Sequence, residues 1–197
     1  MTLVELMIVV VIIGILSSLG MVGFRRYVGR ARATEAVAML AEMSSKELVY
    51  FSEFAQYLPL NSGAAIAATL SGASAAETAA MFWPRDPTGA TFDSVRSAVT
   101  VAAPPQSWVY AAVRPKDTVL YCTYFAGAGQ AGSTPPTSTA TAIGGALLGV
   151  AAITQPWFYV LGSCNLRGSG AQVYPGGVTT FAITYNSPSL TVLNDGQ

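Results

Sequence analysis

The chain has 197 residues, 52% of them hydrophobic and only 10% charged, well under the ~25% of ordinary soluble domains. Ten basic and ten acidic side chains cancel, and histidine is absent. That balance offers no basic surface for nucleic acid, no Ser–His or Cys–His nucleophile and no imidazole ligand for a metal, so an enzyme is not expected.

The first element is apolar throughout. Met1–Phe24 carries one charge, Glu5, and Leu6–Phe24 carries none. As an α-helix that uncharged stretch measures about 28 Å, close to one bilayer core. A carboxylate in such a segment costs about 2.5–3.5 kcal/mol on insertion. Glu5 therefore calls for a cationic partner, and the nearest is the α-amino group of residue 1, on the same chain or on a neighbour. Three readings meet this segment. A cleaved signal peptide needs a basic n-region and a small-residue cleavage site, and no Lys or Arg precedes Arg25. A single-pass anchor conflicts with Arg25, Arg26, Arg30 and Arg32, which would hold the rest of the chain in the cytoplasm. The third is a processed segment whose basic leader has been removed, with Met1 as the mature N-terminus.

Thr2–Leu16, TLVELMIVVVIIGIL, resembles the N-terminus of type IV pilins and type II secretion pseudopilins, and the likeness in pattern covers about the first 55 residues. It combines the hydroxyl of Thr2, the single acid Glu5, an Ile/Val-rich run and Gly14. The resemblance implies a leader cut by prepilin peptidase, methylation of the new N-terminal amine at Met1, and pairing of Glu5 with the amine of the next subunit in a helical homopolymer, with Thr2 and Glu5 serving assembly. It also implies a stay in the inner membrane, handling by the pilus assembly machinery, and an extracellular filament. Two residues depart from the pattern: Met1 replaces the usual Phe, and Val22 stands where a helix proline is usual. Gly14, Ser17, Ser18, Gly20 and Gly23 are then the weakest part of the helix, expected to lose helical backbone in the assembled state.

Beyond the apolar part the helix is expected to continue as an amphipathic spine over 25–58. Val37, Leu40, Ser44, Leu48, Phe51, Ala55 and Leu58 form one stripe, and Met39, Met43, Tyr50, Phe54 and Tyr57 a second. Two apolar faces suit a helix that packs its own head on one side and other copies on the other. Phe24, Tyr27, Phe51 and Tyr57 are read as packing residues rather than electron carriers. Arg25, Arg26, Arg30 and Arg32 precede Glu35, Glu42, Glu47 and Glu53, with Lys46 the one basic interruption. This order fits a solvated face with a membrane-surface basic belt. In a staggered array of copies it would also set axial register. Leu58-Pro59 should close the helix, and Asn61-Ser62-Gly63 should turn the chain.

Residues 59–197 read as a β-rich head. Ala64–Met81 is Ala-rich, Pro84–Gly89 is a turn, and Asp93–Val101 could be helix or strand. Strands are expected at Ser107–Val113, Thr118–Phe125, Trp157–Gly162, Val178–Tyr185 and Ser189–Leu193. Arg114–Asp117 would link the first two and Asn186-Ser187-Pro188 would separate the last two. An antiparallel sheet packed on the long helix gives an α+β fold, the head-on-spine pilin fold that the resemblance also implies. Cys122 and Cys164 are the only cysteines. In an exported chain they should form one disulfide stapling neighbouring strands, the alternative being two buried thiols.

Residues 127–149 are low-complexity and expected to form a flexible surface loop. Gly127–Gly132 matches G-x-G-x-x-G literally, but Pro135-Pro136 prevents the helix a dinucleotide site needs. The Ser/Thr/Pro core offers Ser133, Thr134, Thr137, Ser138, Thr139 and Thr141 as O-glycosylation candidates, with an unmodified linker as the alternative. Asn165–Gly170 has no carboxylate, so it reads as a glycine turn with no metal. No cofactor is expected. The reading is a structural subunit of a type IV pilus. One alternative is a type II secretion pseudopilin or minor pilin, and the other is a single-pass membrane-anchored periplasmic binding or enzymatic domain.

Overall fold

The computed structural model describes residues 3–60, 82–84, 92–93, 99–100, 104–115, 119–136, 144–149, 151–164, 166, 171–172 and 179–194. The first of these is a single helix. With no proline before Pro59, α1 runs unbroken over Leu3–Phe54, about 78 Å at ~1.5 Å per residue. Glu5 sits in its first turn, where the helix dipole favours an acid. The hydroxyls of Ser18 and Ser52 fold back and donate to the carbonyls of Ile15 and Val49, so polar side chains do not break the helix. In this single chain the helix continues through Gly14, Gly20 and Gly23. The expectation of broken backbone there concerned the assembled state.

The helix stops at Phe54, four residues before the expected Leu58. Ala55 takes a left-handed backbone (φ 56°), which ends the helix. The chain then folds back because the Leu58 N–H donates to Glu47 Oε2 at 2.9 Å. Leu58, Pro59 and Leu60 are buried in consequence. The buried face of α1 also differs from either expected stripe. It consists of Ala36, Met39, Leu40, Met43 and Glu47, at helical spacing, while Val37 and Leu48 remain exposed.

The head is built on a four-stranded antiparallel sheet in the order β4-β5-β7-β8. These strands are Cys122–Gly129, Trp157–Cys164, Thr179–Thr184 and Ser187–Asn194. β4 and β5 pair along their whole length, from Cys122 opposite Cys164 to Gly129 opposite Trp157. α1 lies across β5, β7 and β4. On that face Leu40 and Met43 pack with Tyr124, Ala126, Phe158, Val160 and Ile183. The opposite face buries Phe125, Trp157, Tyr159 and Leu161 under Phe82, Leu147, Leu148 and Ile153. β4 and β5 are therefore buried on both faces, and their sequences show little polar alternation for that reason. Two two-stranded ribbons flank the sheet: β1 (Phe92–Asp93) with β6 (Ala171–Gln172), and β2 (Val99–Thr100) with β3 (Val119–Leu120). The outer edge of β4 is capped by Leu60 and Trp83, which exchange backbone hydrogen bonds with Ala126 and Tyr124, so that edge is not left open for pairing.

Several expected elements are corrected. Ser107–Val113 is not a strand: Gln106–Tyr110 is a short helix, α2, started by Pro105 at φ −55°. Its Trp108 is fully buried and packs at a tilt against Trp83, with ring centroids 4.6 Å apart. Arg114 and Pro115 therefore follow a helix and do not lie in a hairpin. The expected strand over Thr118–Phe125 is split at Tyr121, because the Tyr121 N–H donates to the Glu35 carboxylate at 3.1 Å. β8 begins at Ser187, and the turn before it is Tyr185-Asn186.

The stretch 127–149 is only partly a loop. Gly127 and Gly129 end strand β4 and are buried. A Cβ at Gly127 would strike the Tyr159 ring, and one at Gly129 the Trp157 ring. These glycines thus make room for two large aromatics on the paired strand. Gly144–Leu148 forms a short helix, α3, that helps cover the same rings. The expected features at Asn61–Met81 and Arg85–Gly89 lie outside the described residues, as does Asn165–Gly170 apart from Leu166.

Candidate assembly interface

Among the described residues, the apolar part of α1 is not buried against the head. Leu3–Met21 has a mean hydropathy of 2.6 with 0% of it buried, and is long enough to cross a bilayer. Leu3 is 77% exposed and Phe24 67%. Burying one large apolar side chain releases about 1.5–3 kcal/mol, so the exposed Leu, Ile, Val and Met side chains of this segment amount to a strong demand for membrane or protein cover. Glu5 is the one acid in that surface. Met1 and Thr2 lie outside the described residues.

Two carboxylates that sequence reading placed only in an acidic series turn out to fasten spine to head. Glu35 accepts from the Tyr121 N–H and from the Tyr124 hydroxyl, the latter at 3.2 Å. Burial, and then the Glu35 charge, push the Tyr124 phenol far above its ordinary range, so it stays a donor. The Arg32 guanidinium lies 4.7 Å from the Tyr121 ring centre, a cation–π contact on the same joint. Glu47 is fully buried where the chain doubles back. Burial pushes its carboxyl from 4.5 up to about 8, opposed by the Leu58 hydrogen bond. Its Oε1 has no hydrogen-bond partner among the described residues. Burial, then Glu47 and Tyr185, also raise Tyr57. The available signal was positional: Glu47 follows Met43 by four residues on a face that is otherwise apolar.

Between α1 and the Pro115–Tyr121 side of the head is an open groove of about 420 Å³. Its helix wall carries Ala31, Glu35, Ala38 and Glu42. Val28, Arg32 and Met39 complete that wall, so it carries both signs of charge beside small and apolar side chains.

Cys122 and Cys164 form a disulfide between directly opposed residues, Cα–Cα 4.4 Å apart, near the point where α1 crosses the sheet. Ser133, a glycosylation candidate, is used internally. Its hydroxyl donates to the Gln130 carbonyl at 2.5 Å and accepts the Trp157 Nε1–H at 2.9 Å. Thr134 is exposed, whereas Thr137, Ser138, Thr139 and Thr141 lie outside the described residues.

A long N-terminal helix, apolar and bare at one end and packed on a four-stranded antiparallel sheet at the other, is an α+β arrangement consistent with the pilin fold. A stretch of 71 residues is 37% identical to the fimbrial protein EcpC of Eikenella corrodens, covering 36% of this chain and 46% of that protein. The chain thus spans under half the length of that relative. No protein-family model matches the chain, and no solved structure does. The similarity and the exposed apolar helix together fit a pilin-like protein.

Proposed function

We propose that this chain is the structural subunit of a type IV pilus, polymerising through the apolar half of α1. The observation that carries the reading is the exposure of Leu3–Met21 on a helix whose other half is packed on a disulfide-stapled head. Before assembly the bilayer covers that surface. In the filament, parallel copies cover one another, and Glu5 of each copy neutralises the α-amino group at Met1 of the next. Removal of a leader by prepilin peptidase and methylation of Met1 belong to the same reading, as does export to an extracellular filament. Similarity to a fimbrial protein supports it.

Glu5→Ala tests the assignment. The variant should reach the membrane in normal amount, because losing a charge from an apolar helix eases insertion, and should yield few or no shearable filaments. Normal filament yield would remove the role of Glu5. Mass spectrometry of the natural protein, expected to show a methylated residue 1, separates the proposal from an ordinary anchored domain.

A further inference from the structure

Ala55–Leu60 runs from the end of α1 to the outer edge of β4. At the far end Leu60 and Ala126 exchange both backbone hydrogen bonds, at 3.0 and 2.9 Å. In the middle the Tyr57 ring packs between Phe51 and Phe158, with centroids 4.6 Å away on each side. Next to it the Leu58 N–H donates to Glu47. Glu47 is wholly buried, and its Oε1 has no hydrogen-bond partner among the described residues. The titratable groups that face it from other elements are Tyr57 and, beside Tyr57, Tyr185 after β7. Neither can supply a positive charge. On α1 itself Tyr50 is one turn further on, and Lys46 is turned about 100° away around the helix. β4 does not depend on this segment for its place, because its other edge pairs along its whole length with β5 and Cys122 is bonded to Cys164.

We propose that Ala55–Leu60 is a strap latched over the edge of β4 by the protonated Glu47, and that it lifts from that edge, with the rest of the head folded, when the carboxyl loses its proton. Under the strap the carboxyl keeps its proton up to about pH 8, because burial disfavours the charge. Lifting admits water and returns it to its ordinary 4.5. Between those limits the lifted form binds fewer protons, so each pH unit favours lifting about ten-fold. The gain is absent below 4.5 and complete above 8. Tyr57 is raised above its ordinary value and stays neutral throughout this window. Lifting frees the N–H and C=O of Ala126, and the edge of β4 is then open to pairing with a strand of another copy.

Amide hydrogen exchange tests this on the full chain in detergent micelles, read residue by residue across pH 5 to 9 and corrected for the intrinsic rate of free amides. Leu60 and Ala126 should open more often than Val160, which is paired on both sides in the sheet. Their opening should rise about ten-fold per unit up to pH 8 and level off above it. Glu47→Gln should abolish the rise while the Leu58 N–H keeps an acceptor, and Tyr57→Phe should preserve it. Equal opening at Leu60 and Val160 would mean that the strap never lifts alone, and would overturn the inference. So would a Leu60 opening that ignores pH, a rise that survives Glu47→Gln, or a rise lost in Tyr57→Phe. The comparison of Leu60 with Val160 uses the unsubstituted chain, so it decides the matter even if a variant fails to fold.

Discussion

Replacing Glu47 with glutamine isolates the buried acid that holds the end of the spine against the head. The glutamine carbonyl can still accept the Leu58 N–H, so the turn after α1 is retained and only the titration is lost. In the folded chain Glu47 keeps its proton up to about pH 8, while 4.5 is its ordinary value and the one expected of the unfolded chain. Between those limits the folded state binds up to one more proton than the unfolded state, so stability falls as pH rises. The contribution is fully present below about pH 4.5 and is lost as pH passes 8. One proton of difference corresponds to about 1.4 kcal/mol per pH unit. At about 2–4 °C per kcal/mol for a chain of this size, Tm should drop roughly 3–6 °C per unit between pH 5 and 8. Thermal melts of the full chain in detergent micelles, followed by near-UV circular dichroism of the buried Trp108 and Trp157, measure this. Glu47→Gln should flatten the slope and melt above wild type at pH 8, while lying near or slightly below it at pH 5. Parallel melting curves for the two proteins across the window would refute the assignment.

Cys122→Ser should cost about 4 kcal/mol, the chain-entropy figure for the 42-residue separation; a denaturant midpoint equivalent to less than about 1 kcal/mol would show that the strand pairing suffices without the bond. Gly127→Ala should destabilise by about 1–3 kcal/mol, because its Cβ lands on the Tyr159 ring. Gly20→Ala meets open space and should leave the isolated chain as stable or up to about 1 kcal/mol more so. Equal effects in the two glycine variants, read by urea unfolding, would contradict the packing around β4.

Composition and local pattern determined the elements whose cause is local. An uncharged run as long as Leu6–Phe24 with one acid before it is legible as a membrane-length helix, because hydrocarbon tolerates no other backbone state so simply. The strands expected at Trp157–Gly162 and Val178–Tyr185, found at Trp157–Cys164 and Thr179–Thr184, and the α+β class, followed from β-branched and aromatic runs after a proline-free helix. What only the tertiary structure decided depends on partners distant in sequence. Glu35 cuts one expected strand in two by capturing the Tyr121 N–H from 86 residues away. Glu47 draws Leu58 back onto the helix after the left-handed Ala55 has ended it early. Gly127 and Gly129 read as a loose loop until the register sets them opposite Tyr159 and Trp157, where a glycine is the side chain that leaves a ring its space. Ser107–Val113 has a strand's composition, yet the fit of Trp108 against Trp83 makes it helical. Propensity is worth tenths of a kcal/mol per residue, whereas a buried aromatic or a buried carboxylate is worth several times that. Wherever the two disagreed, the long-range contact prevailed.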